Sequence, residues 1–183
     1  MLIVRNLRES DEASFRACVE ECRRDEPPHD FAFQFDSSTD FPTYVRLVHD
    51  WSRGLNLPPN FVPGAFLVAA VQDIVVGRVS IRYRLNDFLL RLGGHVGYAV
   101  APSFRRKGYA TEILRQTLPI ARNAGLERIL LTCDDDNIAS RRVIEANSGV
   151  LENVIMEEGL RIAKRRYWID LRFLGGSPSD TFA

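Results

Sequence analysis

His95-Val96-Gly97-Tyr98-Ala99-Val100-Ala101-Pro102-Ser103-Phe104-Arg105-Arg106-Lys107-Gly108-Tyr109-Ala110-Thr111 is the stretch that decides the fold. Val96 to Val100 is short, apolar and β-prone, which reads as a buried strand. Pro102 cannot donate to a sheet ladder, so the strand stops there. Arg105-Arg106-Lys107-Gly108 then leads into a helical pattern from Tyr109 and Ala110. The first N–H groups of a helix lack intrahelical partners and carry partial positive charge. A helix start with three cationic side chains beside it suits a phosphate group. Gly108 lets the backbone approach an anion closely, and Ala110 is too small to block it. Taken alone, the cationic triplet has a plainer meaning, a solvated basic turn.

Working outward, residues 2–8 read as a first strand. Ser10 is a candidate N-cap for a helix reaching about Arg24, with Phe15, Cys18, Val19 and Cys22 on one face. Pro27-Pro28 ends it. Residues 29–41 are irregular and aromatic. A second helix is expected from about Phe41 to Arg53, stopped by Gly54. Residues 54–63 hold three prolines and form a loop. Gly64–Gln72 and Val75–Arg84 read as an antiparallel hairpin, and Leu85–Leu92 as a connector bending at Asn86-Asp87.

Past the basic turn, Ala110, Ile113, Leu114, Thr117, Ala121 and Ala124 share one helix face. Pro119 is expected to kink that helix or end its first segment. Arg128–Cys133 is a strand, about Ile138 to Asn147 a helix, and Val150–Met156 with Leu160–Leu171 a last hairpin. The order β-α-α-β-β-β-α-β-α-β-β gives an α/β fold with a mixed sheet and helices on both faces. Residues 1–173 form one domain, and residues 174–183 a frayed tail.

Composition narrows the function classes. Of 183 residues, 45% are hydrophobic, ample for a packed core. Lys and Arg balance Asp and Glu at 24 each, so nothing favours nucleic acid or an anionic membrane as partner. No apolar run approaches the ~18 residues of a membrane span. Three cysteines, Cys18, Cys22 and Cys133, do not make a disulfide framework and agree with a reducing cytoplasm. Cys18 and Cys22 with nearby His29 fall short of a metal site, and buried free thiols are the expectation.

Val100-x-Pro102-x-x-Arg105-x-x-Gly108-x-Ala110 resembles the acetyl-CoA pyrophosphate loop of the GNAT N-acetyltransferase superfamily. Gly93-Gly94-His95-Val96-Gly97-Tyr98, Cys133-Asp134-x-x-Asn137-x-x-Ser140, Asn147-Ser148-Gly149-Val150-Leu151-Glu152 and Arg166-Tyr167-Trp168-Ile169 are similar to a bacterial branch of that superfamily. The resemblance implies a GNAT fold whose sheet splays after the central strand. It also implies acetyl-CoA as cosubstrate and no metal. On that basis the main chain of Tyr98, Ala99 and Val100 meets pantetheine, and the Val100 N–H polarises the thioester carbonyl. Arg106, Lys107, Gly108, Tyr109, Ala110 and Thr111 hold pyrophosphate, with Arg105 starting the motif or orienting the loop. Asn137 lies near the thioester, caps the following helix, or does both. Many relatives carry an acidic Tyr seven residues after this Asn, where the present chain has Ile144. Ser140 is the candidate substitute, and His95 is a candidate base weighed against a structural histidine.

The implied activity is acetyl transfer to a primary amine by direct attack in a ternary complex. The acceptor pocket is expected from residues 25–62. Asp25, Glu26, Asp30, Asp36 and Asp40 among its aromatics favour a cationic or amine-bearing small molecule. The alternatives are a catalytically weak acyl-CoA sensor and a protein or peptide acetyltransferase. A homodimer is left open.

Overall fold

The computed structural model describes residues 1–173, so the tail at 174–183 lies outside the described residues. Five strands and helices establish the first half: β1 (Leu2–Asn6), α1 (Glu12–Arg23), α2 (Phe41–Ser52), β2 (Gly64–Val71) and β3 (Ile74–Arg82). The second half adds β4 (Val96–Val100), α3 (Tyr109–Asn123), β5 (Arg128–Asp134), α4 (Ile138–Glu145), β6 (Val150–Ile155) and β7 (Lys164–Asp170). Gln72 and Asp73 both take positive φ, 49° and 63°. That is the twist-matched two-residue turn that joins β2 to β3.

The expected mixed sheet divides into two antiparallel sheets, ordered β1-β2-β3-β4 and β5-β7-β6. β4 and β5 are fastened at one end. The His95 N–H donates to the Leu130 carbonyl at 2.7 Å, and the Leu130 N–H donates to His95 Nδ1 at 2.9 Å. Gly94 makes this approach possible. Its φ is 67°, and a Cβ there would sit 2.7 Å from the Leu130 oxygen. Beyond this clasp no ladder joins the two strands.

Each face of the sheet carries its own core. α3 and α4 cover one, where Ile113, Leu114, Leu118 and Ile144 meet Val79, Ile81, Val96 and Ile129. α1 and α2 cover the other with an aromatic cluster of Phe15, Phe31, Phe35, Phe41 and Tyr44. Phe15 alone packs against five rings, with centroids 5.2 to 6.3 Å away. The Asp40 carboxylate accepts the Thr43 N–H at 2.9 Å and starts α2, with Pro42 in the first turn where no N–H is needed.

Three local expectations change. Ser10 lies in a 3-10 turn, Glu9–Asp11, instead of capping α1. Asp11 is drawn inward by an ion pair with Arg5 at 2.7 Å and accepts the Arg8 N–H at 2.8 Å. α3 continues through Pro119, because that residue is exposed while Ile113, Leu114, Thr117, Leu118 and Ala121 stay buried on the other side. Burial of that face outweighs one lost hydrogen bond. The 85–92 connector contains a π-helical turn, Leu89–Gly93, and the Asn86 side chain accepts the Leu89 N–H at 2.9 Å.

Candidate active site

The split between the sheets leaves one rim of β4 without a neighbouring strand. In an antiparallel ladder, residues alternately face their partner and face away. The Arg82 N–H donates to the His95 carbonyl, and the Ala101 N–H to the Val76 carbonyl. The odd-numbered residues of β4 therefore bond to β3. The main-chain groups of Val96, Tyr98 and Val100 face the split, whereas those of Ala99 face β3. Buried N–H and C=O groups need partners. The Val100 carbonyl has one, since Arg105 Nε donates to it at 3.2 Å.

The turn after β4 is built around a second bond of Arg105. Its Nη2 reaches the Asp25 carboxylate at 2.6 Å, and this pair holds the Asp25 acid below the usual carboxylate range. Arg105 is thus engaged by the chain itself. Arg106 and Lys107 are exposed, and among the described residues no carboxylate pairs with either; Lys107 lies 5.3 Å from the Phe104 ring. Gly108 caps α3 with φ of 76°, and no atom lies within 4 Å of the place a Cβ would take. The main-chain N–H groups of Tyr109, Ala110 and Thr111 open the helix, with no side-chain cap in front of them. An anion such as a diphosphate fits this place. It would meet unpaired N–H groups, two free cations and open space.

α4 begins across the split. Asn137 caps it by accepting the Ser140 N–H at 2.9 Å through Oδ1, which leaves its Nδ2 on the exposed side. The Tyr98 hydroxyl bridges the split and donates to the Ser140 carbonyl at 3.4 Å. Desolvation pushes the Tyr98 hydroxyl up to about 12, with the Ser140 contact lowering it and Cys133 raising it. Ile144 is buried in the α3–α4 core. His95 is buried, its ring 6.1 Å from that of Trp168, and its Nδ1 is occupied by the Leu130 N–H. Burial, then the Arg82 and Arg128 charges, push its pKa down to about 4. The ring is therefore neutral, and it holds the closed end of the split.

On the α1/α2 face lies a cavity of about 380 Å³. Aromatic rings of Phe33, Trp51, Phe61 and Phe66 form its walls, and Ser80 and Arg82 line its floor on β3. The carboxylates expected here are used elsewhere. Asp25 holds Arg105, Asp36 accepts from Ser38 and Thr39, Asp40 caps α2, and Glu26 and Asp30 are exposed. The sequence reading missed what replaces them. Gly77-Arg78-Val79-Ser80-Ile81-Arg82 alternates within an apolar strand, so Arg78, Ser80 and Arg82 share the cavity's side of the sheet. Two polar residues flanking a third at period two was the available signal.

The three cysteines are buried free thiols, and burial raises each of them. Among the described residues no group of three or more His, Cys, Asp or Glu is placed to hold a metal ion. Among them, too, no helix is long and apolar enough to cross a membrane.

Comparison with known proteins places this arrangement. Many solved structures share the fold, and three of them illustrate it. The first is yncA from Salmonella typhimurium with its cofactor acetyl-CoA: TM-score 0.60, 18% identity, 93% of this chain and 94% of that one. RimJ of Mycobacterium smegmatis, in complex with CoA-disulfide, aligns at TM-score 0.67 and 19% identity over 96% and 85%. RimL, a ribosomal L7/L12 alpha-N-protein acetyltransferase in complex with coenzyme A, aligns at TM-score 0.65 and 17% identity over 92% and 93%. No curated protein sequence matches the chain. The model of the acetyltransferase (GNAT) domain matches residues 1–148. The chain belongs to the GNAT acetyltransferase family and is an acetyl-CoA-dependent acyltransferase.

Proposed function

We propose that the chain acetylates a primary amine of a small molecule by direct attack with both substrates bound. The observation that carries this is the open rim of β4, together with a half-open cavity on the α1/α2 face of the same sheet. Acetyl-CoA supplies an activated thioester when bound. Arg106, Lys107 and the N–H groups from Gly108 to Thr111 hold its diphosphate. Arg105 orients that turn through Asp25 and the Val100 carbonyl. The Tyr98 main chain pairs with the pantetheine amides, as one strand pairs with another. The Val100 N–H points at the thioester oxygen, where charge develops during attack. The Asn137 side-chain N–H and Ser140, at the start of α4, would be the polar groups offered to the departing sulfur.

His95 holds the split closed at one end, with its Nδ1 lone pair already committed. No side chain is assigned the part of a strong base. Holding a neutral amine against the thioester supplies most of the acceleration. A cavity of about 380 Å³ matches a small molecule better than an extended peptide.

The test is thiol release from acetyl-CoA across a panel of amines and N-terminal peptides. Amine-dependent release with small molecules, reduced by less than ~10³-fold in each of the Ala variants at His95, Tyr98 and Ser140, is expected. Release with peptides alone, or a larger loss at one of these sites, contradicts the proposal.

A further inference from the structure

The cavity on the α1/α2 face and the sheet beneath it hold hydrogen-bond donors that the protein leaves unanswered, and Arg82 is the cation among them that lines the cavity. Trp51 is buried, and its Nε1–H has no acceptor. The half-buried Arg82 guanidinium has no hydrogen bond and no ion pair among the described residues. Next to it, Arg78 is 8% exposed, lies 5.1 Å from the Phe33 ring, and bonds the carbonyls of Gly97 and Asp30, both at 3.1 Å. Its Nε is buried without a partner. Among the described residues no Asp or Glu lines the cavity. Two cations side by side, one buried and one half-buried, with neither matched by an acid among the described residues, are costly.

These charges reach the middle of β4, on the side of the sheet that the cavity occupies. Arg82 Nη1 is 3.2 Å, and Arg78 Nη1 3.7 Å, from where a Cβ on Gly97 would stand. Gly97 immediately precedes Tyr98, whose main chain faces the split. Small residues at Gly97 and Ala99 leave the guanidiniums room beside that strand.

We infer that the acceptor is an amine carrying a carboxylate on an apolar body, with the carboxylate held by Arg82. This deepens the acetyl-transfer reading above and rests on it. A carboxylate brings only acceptors, and a guanidinium offers it two parallel N–H bonds. The aromatic walls take the rest of the molecule. A diamine or other polycation would meet like charge instead, which reverses the preference that the acidic residues in the sequence implied.

The test compares amino acids with their methyl esters. The panel runs from glycine to 6-aminohexanoate and 4-(aminomethyl)benzoate, so the spacing between amine and carboxylate varies. In the intact chain, the best acid is expected to exceed its ester by at least about ten-fold in kcat/KM, the scale of a charge-assisted hydrogen bond. In Arg82→Met that ratio falls to within about three-fold, while Arg82→Lys keeps part of it. Esters or diamines matching the acids in the intact chain overturn the inference, as does an acid preference that survives Arg82→Met. Thermal-shift measurements with the same acids and esters, without acetyl-CoA, separate the two proposals. Stabilisation by acids alone, lost in Arg82→Met, upholds the anionic pocket even if no amine releases thiol. Acids that neither react nor stabilise overturn it.

Discussion

The molecule presents positive charge in two places, and the two are built differently. Arg106 and Lys107 stand in solvent on a turn, where hydration and salt make their charge inexpensive and weak. Arg78 and Arg82 sit within β3 under an aromatic wall, where an unmatched charge is destabilising. An exposed cation needs no explanation. Arg78 is kept by its bonds to the Gly97 and Asp30 carbonyls, but Arg82 makes no such bond among the described residues, and folding alone gives no reason to keep it. The difference therefore assigns different tasks: the turn suits a ligand that also meets main-chain N–H groups, and the cavity suits one that must bring its own negative charge.

The sharpest way to break that contrast is in stability. Arg78→Ala removes two hydrogen bonds and a ring contact inside the sheet, and should cost about 2–4 kcal/mol in urea unfolding. Arg106→Ala should stay within about 0.5 kcal/mol of the intact chain. Equal effects would mean that the two regions are not energetically distinct. A smaller, more specific effect uses His95 as a reporter of the buried field. Its ordinary pKa of 6.5 is pushed down to about 4, first by burial and then by Arg82 and Arg128. Between those values the unfolded chain takes up a proton that the folded chain refuses. Stability present above pH 6.5 is then lost as pH falls toward 4, by up to about 1.4 kcal/mol per unit. Arg82→Gln should raise the His95 midpoint in an NMR ring titration. An unchanged midpoint would remove Arg82 from the field at that ring.

The same contrast explains what could be read in the sequence. Arg105-Arg106-Lys107-Gly108 is contiguous and follows a strand that Pro102 terminates, so local chemistry marked it as a candidate and the family resemblance gave it a ligand. Strand and helix order was legible for the same reason, through period-two and period-3.6 patterns. The clasp between His95 and Leu130 was not, since it joins residues 35 positions apart. Nor was the fate of Asp25, Asp36 and Asp40. A carboxylate in an aromatic stretch looks like pocket lining until its partner, Arg105 80 residues away in one case, is known. Arg78 and Arg82 carry no such local mark, because only packing reveals that α1 and α2 cover their side of the sheet. Pro119 misled for a related reason, since its cost depends on which side of α3 it occupies.

The most direct measurement is a calorimetric titration of coenzyme A into the intact chain, the Arg106→Ala/Lys107→Ala double variant and Arg82→Met. One-site uptake is expected in the intact chain, weaker by at least about ten-fold in the double variant and unchanged in Arg82→Met. No uptake, or equal affinity in the double variant, would contradict the placement of the coenzyme's diphosphate at the turn between β4 and α3.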